Sequence, residues 1–215
     1  GSEDVTLGST GYSATFNNKN VGEGKTVTVT GLALAGADAG NYSITQPTLT
    51  DGIITAKPIN VTAQTDTKTY DGTTKSNVSP KGDTLEDDDT WTSEGTQVFS
   101  QSDVGDNLTL TASGASINDG NSGNNYTINY VDNTTGKITA KKLTVSGATV
   151  TSKEYDGNTN AVISGATLDG VVGTDNVTLA NDTAGTFNDK NVGTGKTVTT
   201  AMTITGDDAD NYALI

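Results

Sequence analysis

At 215 residues, with a net charge of −14 and neither cysteine nor histidine, the chain rules out several chemistries at once. Thiol nucleophiles, disulfides, Cys/His zinc sites and imidazole proton transfer are excluded by composition, and the acidity leaves no basic footprint for nucleic acid. Hydrophobic residues make up 32% and aromatics 5%, so one large core is not expected; Thr and Val suit half-buried strands, Gly, Asn and Asp suit turns, and no stretch has helix-forming composition.

In chain order, Phe16 precedes a turn at Asn20-Val21-Gly22-Glu23-Gly24-Lys25, and Val27 and Val29 then alternate with Thr as in a strand with one wet face. Leu32 and Leu34 continue in shifted phase, and Asn41-Tyr42 leads to Gly52-Ile53-Ile54-Thr55-Ala56-Lys57. Lys68-Thr69-Tyr70-Asp71-Gly72 follows; Asp-Gly predicts a turn with positive φ, beside which Tyr70 packs its ring and hydrogen-bonds its hydroxyl. Trp91 aligns with Leu7 and Leu179 and is expected in a core. Phe99 precedes Asp103-Val104-Gly105, Leu108-Thr109-Leu110 reads as a strand, and Asn125-Tyr126 leads to Gly136-Lys137-Ile138-Thr139-Ala140-Lys141. The last stretch holds Lys153-Glu154-Tyr155-Asp156-Gly157, then Phe187 before Asn191-Val192-Gly193, strand alternation at Met202–Thr205, and Asn211-Tyr212.

The same landmarks therefore recur. The only three Phe of the chain, Phe16, Phe99 and Phe187, occupy one position, as do Tyr42, Tyr126 and Tyr212. The pattern divides the chain into residues 3–57, the C-terminal part of a first copy; 58–141, a complete second copy; and 142–215, a third copy without the Gly-x-Ile-Thr-Ala-Lys strand. Such ragged ends are what a stretch cut from a longer array would show. At the joints, Ile54 and Ala56 face one way while Ile59 and Val61 face the other, and Ile138 and Ala140 precede Leu143 and Val145 with the same slip. A one-residue slip reverses the buried face, so one core is expected to hand over to the next within a residue or two. The fold expected is all-β: tandem small antiparallel modules, β-sandwich-like or β-grasp-like, placed end to end as an elongated rod.

Lys-x-Tyr-Asp-Gly-x-Thr, Phe-x-x-Lys-Asn-Val-Gly-x-Gly-Lys, Gly-x-Asp-Ala-x-Asn-Tyr and Ile-Thr-Ala-Lys, in that order, resemble the YDG repeat of large bacterial adhesins. That family includes filamentous-haemagglutinin-like and other repeat-rich surface proteins. The middle copy departs from it, with Ser102 where Lys19 and Lys190 stand and Asn121-Ser122-Gly123-Asn124 at the acidic turn. The resemblance implies a secreted or cell-surface adhesin, with no ligand specified.

From the residues, the motif positions (Tyr70, Asp71, Gly72, Tyr155, Asp156, Gly157, the three Phe, and Tyr42, Tyr126 and Tyr212) read as turn and core, not as catalytic groups. Asn-Val-Gly-x-Gly-Lys lacks the spacing and the following helix of a phosphate loop. Ca²⁺ is the one cofactor with candidate ligands, Asp207, Asp208 and Asp210, and Glu86–Asp89 forms a further acidic run. No apolar run reaches the ~20 residues of a membrane span. The function expected is a stalk projecting a binding domain from a bacterial cell, with direct adhesion to host glycan, matrix protein or biofilm polymer as the alternative. The expected partners are neighbouring repeats of the same polypeptide; the expected state is a monomer, and no enzymatic activity is expected.

Overall fold

The computed structural model describes residues 2–8, 10–86 and 88–215. Among them the regular structure is strand, apart from two single 3₁₀ turns at Ala39–Asn41 and Ala209–Asn211. No helix among the described residues is long and apolar enough to cross a membrane.

The chain packs as two compact units. One comprises Gly1–Val61, Gly82–Glu94 and Gly114–Asn129; the other comprises Thr62–Lys81, Gly95–Ser113 and Tyr130–Ile215. The first unit thus holds all of copy 1 with part of copy 2, and the second holds the rest of copy 2 with copy 3.

In the first unit, Ser13–Phe16, Gly22–Thr30 and Thr48–Ile54 form an antiparallel sheet. Its central strand follows the Val27/Val29 alternation, and Val29 is buried. Smaller sheets pair Thr6–Leu7 with Leu34–Ala35 and Thr90–Ser93 with Ser116–Asn118. Ile59, Ile117 and Tyr126 form a core cluster, against which Leu85, Trp91 and Ile128 pack. Trp91 donates its indole N–H to the Asp83 carbonyl at 3.1 Å, which satisfies its one polar atom.

In the second unit, Thr96–Phe99, Gly105–Ser113, Asn133–Thr139 and Thr67–Thr69 form a four-stranded sheet in that order. Phe99, Leu110 and Ile138 are fully buried there. Copy 3 supplies Thr149–Val150, Asn160–Ser164, Ala184–Phe187 and Val198–Thr200, with Thr178–Ala180 paired to Thr203–Thr205.

Antiparallel pairing dominates, but the second unit also holds parallel pairs among the described residues. Thr67–Thr69 runs parallel to Asn133–Thr139, and Lys141–Leu143 runs parallel to Tyr212–Leu214. In each pair an early strand of a copy meets one much later in the chain. Parallel neighbours need a long crossover, and sequence alternation carries no sign of it.

The slip at the joints is present. Thr48–Ile54 lies in the sheet of copy 1, and Lys57–Thr62 begins a different sheet after only Thr55 and Ala56. Ile59 and Val61 are buried, and exposed Lys57 and Pro58 together mark the reversal. Asn133–Thr139 and Lys141–Ser146 repeat the arrangement across Ala140. Buried polar groups are matched: Gln97 exchanges bonds with the Gln64 backbone, and Ser76 donates to Asp66. Among the described residues no buried side-chain nitrogen or oxygen is without a hydrogen-bond partner.

Candidate functional site

The Lys-x-Tyr-Asp-Gly segment builds a closed turn. Asp71 accepts the Thr73 N–H at 2.9 Å, and Gly72 adopts φ +76°, the left-handed conformation that Gly tolerates. Lys68 Nζ reaches Asp71 at 2.7 Å, the Thr73 carbonyl at 2.6 Å and the Lys75 carbonyl at 3.1 Å. It also stands 5.6 Å from the centre of the Phe99 ring, so the ammonium is held by oxygens on one side and a π face on the other. Burial disfavours the Asp71 carboxylate, but Lys68 and the Thr73 bonds outweigh it and lower its pKa. Copy 3 repeats the device: Lys153 meets Asp156 at 3.0 Å, lies 5.7 Å from the Phe187 ring, and Gly157 has φ +78°.

The three Phe are not equally buried, contrary to their expected shared role as core anchors. Phe99 is 2% exposed, Phe187 is half-buried and Phe16 is 39% exposed. Phe99 is covered by both Lys68 and Gly136 of its strand. Phe187 has Lys153 above it, and Phe16 has Gly52 against it.

The Tyr residues divide in the same way. Tyr70 is 5% exposed because it packs edge-on against Tyr212, with ring centres 5.3 Å apart. Both hydroxyls donate to one oxygen of Asp175, at 2.8 and 2.6 Å, and Val172 N–H donates to the Tyr212 hydroxyl. Burial, and then the Asp175 carboxylate, push both phenols well above their ordinary pKa. Tyr155, at the matching place in copy 3, is 62% exposed, against the expectation that it packs as Tyr70 does. No copy-to-copy contact of the Tyr70 kind is present at Tyr155 among the described residues.

A second contact joins copy 2 to copy 3. Val104 N–H donates to Asn211 Oδ1 at 2.8 Å, and Asn211 Nδ2 donates to Asp103 at 3.3 Å. Copies 1 and 2 meet with the same geometry: Val21 N–H donates to Asn125 Oδ1 at 2.9 Å, and Asn125 Nδ2 to Asn20 at 3.3 Å. Here Asp89 plays the part of Asp175. It accepts the Tyr126 hydroxyl at 2.7 Å and pairs with Lys19 at 2.9 Å. Lys19 and then Tyr126 hold the Asp89 carboxyl below its ordinary pKa, and Asp89 raises Lys19 in return. Tyr42, also exposed, donates to Glu3.

Each copy therefore pairs its Asn-Tyr tyrosine with an acid: Glu3, Asp89 or Asp175. Sequence inspection missed these acids because their distance to the aligned Leu7, Trp91 and Leu179 is not constant, being shorter in copy 2. The role of Asn125 and Asn211, each capping a Val N–H about a hundred residues away, carries no local signal at all.

The acidic turns are engaged internally. Asp208 accepts the Asn176 N–H at 2.7 Å and Asp207 accepts the Asn176 side chain at 3.3 Å. The described residues contain no group of three or more acids placed to hold a metal; Asp87 of the Glu86–Asp89 run lies outside them. The Lys of Asn-Val-Gly-x-Gly-Lys folds back onto its own turn, Lys25 to Asn18 and Lys196 to Asp189.

These features define an all-β module whose turns and strand ends form the seat for the neighbouring copy. The chain belongs to the YDG domain family, whose model matches residues 1–49, 55–135 and 139–214. No curated protein and no solved structure is detectably similar to it.

Proposed function

We propose that the copies act as a structural spacer, a stalk within a secreted or cell-surface bacterial adhesin that holds a binding domain away from the cell. The observation supporting this reading is where the motif residues go. Tyr70, Asp175, Asn125 and Asn211 make hydrogen bonds between successive copies, and Tyr212 packs its ring against Tyr70; a side chain buried in a joint is not available to a ligand. An aromatic content of 5% leaves few stacking platforms for sugar. The lack of cysteine suits a protein that folds after export without disulfides. Calcium has no place in this reading, nor does catalysis.

Direct adhesion is the competing reading, and the exposed Tyr155 and Val192 of copy 3 favour it, since exposed aromatic and apolar groups can anchor an interface. An array of host glycans and matrix proteins probed with the whole chain separates the two. A stalk gives no reproducible micromolar binding. Binding of that strength, lost in Tyr155→Ser, makes the chain itself the adhesive element.

A further inference from the structure

Strand direction decides how a ladder of hydrogen bonds responds to pulling. In the antiparallel pair of Thr96–Phe99 with Gly105–Ser113, the outer residues Thr96 and Ser113 lie opposite each other. Tension at such adjacent ends opens the ladder one bond at a time. In a parallel pair, the first residue of one strand and the last residue of the other lie at opposite ends of evenly spaced bonds. Tension applied there stretches every bond at once.

Copy 2 is closed by a pair of the second kind, made from an early and a late strand. Thr67–Thr69 runs parallel to Asn133–Thr139, with Thr67 opposite Lys137, Lys68 opposite Ile138 and Thr69 opposite Thr139. Backbone bonds flank this register: Lys137 N–H donates to the Asp66 carbonyl at 3.0 Å, and Tyr70 N–H to the Thr139 carbonyl at 2.8 Å. The Thr139 hydroxyl adds a bond to the Lys68 carbonyl at 3.2 Å. Asp66, Lys68, Tyr70 and Ile138 are buried, so water has little access to compete for these bonds as they stretch. The chain enters the ladder ahead of Thr67 and leaves it after Thr139, at the opposite end. Copy 3 repeats the arrangement immediately: beyond Ala140, Lys141–Leu143 runs parallel to Tyr212–Leu214, with Leu143 fully buried. Tension leaving one ladder therefore enters the next across a single residue.

We propose that these paired early and late strands are shear clamps, which keep copies 2 and 3 folded under tension applied along the chain. Resistance to pulling is set by the rate of crossing the unfolding barrier and not by equilibrium stability. A ladder that loses its bonds together presents a higher barrier than the same ladder peeled from one end. The clamp gives a spacer a means of staying folded under load, and it belongs to the fold equally if the copies bind a ligand themselves.

The absence of cysteine allows pulling handles to be placed at chosen positions. Thr65→Cys with Ala140→Cys loads the two strands of copy 2 along their axes in opposite directions. Thr65→Cys with Thr135→Cys loads the same ladder at neighbouring ends, because the Thr65 and Thr135 hydroxyls meet at 2.5 Å. Optical-tweezers pulling of the whole chain at one loading rate compares the two. The first pair is expected to rupture at about twice the force of the second, or more, releasing roughly 250 Å of chain in one step. Equal forces, or a stronger second pair, overturn the proposal. The native chain held by its two ends needs no substitution: copy 2 is expected to open in a single step of that length, and opening in successive small steps overturns the proposal as well. Binding of the chain to a glycan or matrix protein would set aside the spacer reading and leave both force outcomes unchanged.

Discussion

Asp119 shows how much one buried residue can organise. It is 2% exposed and accepts the backbone N–H groups of Asn121, Gly123 and Asn125 at 2.7, 2.8 and 2.9 Å. Burial opposes its charge, but these bonds outweigh burial and hold its pKa below the ordinary carboxylate value. A depressed pKa stabilises the fold above the unfolded carboxylate pKa of ~3.9, and that contribution is lost as pH falls further. Acid titration of the melting temperature should therefore drop more steeply below about pH 4 in the native chain than in Asp119→Ala. Gly72 and Gly157 form a second residue-level pair. Both have positive φ, but a Cβ on Gly72 would meet Val172 at 3.3 Å, while one on Gly157 would meet nothing within 4 Å. Gly72→Val should cost about 1–3 kcal/mol through backbone strain plus crowding, and Gly157→Val less, as read from thermal melting of the two variants.

At the scale of elements, the strand Asn133–Thr139 sits inside the sheet of copy 2, and the Asn-capped turns join successive copies. Asn211→Ala removes the acceptor for Val104 N–H and should destabilise by about 1–2 kcal/mol, as should Asn125→Ala at Val21. Chemical denaturation of each variant measures this. Tyr70→Phe keeps the edge-on ring contact with Tyr212 but takes one donor from Asp175, with an expected loss of about 1 kcal/mol. Three phenols in these elements, Tyr70, Tyr126 and Tyr212, are raised by burial first and by their acid partners next. Each favours the fold fully below the unfolded phenol pKa of ~10, and that contribution disappears as pH rises through the higher folded values. Melting monitored from pH 8 to 11 should show stability falling only above about pH 10, less steeply in Tyr70→Phe.

For the whole molecule, the copies share a pattern and differ in how completely it is closed. Phe99, Leu110 and Ile138 are fully buried in the sheet of copy 2, whereas Phe187 and Val198 in copy 3 are half-buried. Local opening follows the number of buried apolar contacts and protected backbone bonds. Hydrogen exchange should therefore proceed faster at residues 184–200 than at residues 96–113, by about tenfold or more. Equal rates would mean that the difference in burial does not set the order of opening.

The chain's periodicities were enough to specify an all-β fold, the Asp-Gly turns and the reversal of face at each joint, because these depend on the two-residue strand period and on local backbone preference. Gly72, Val29, Ile59 and Leu110 lie where that reasoning puts them. Tertiary structure alone decided which members of each motif are buried. Phe16, Phe99 and Phe187 are the same residue in the same pattern, yet their exposure is set by strands drawn from far along the chain. Likewise, Asp175 serves two Tyr more than a hundred and nearly forty residues away, a meeting that no local pattern encodes. The recurring Tyr-Asp-Gly, Phe and Asn-Tyr landmarks name the parts of a joint, and only long-range packing determines which joints are closed.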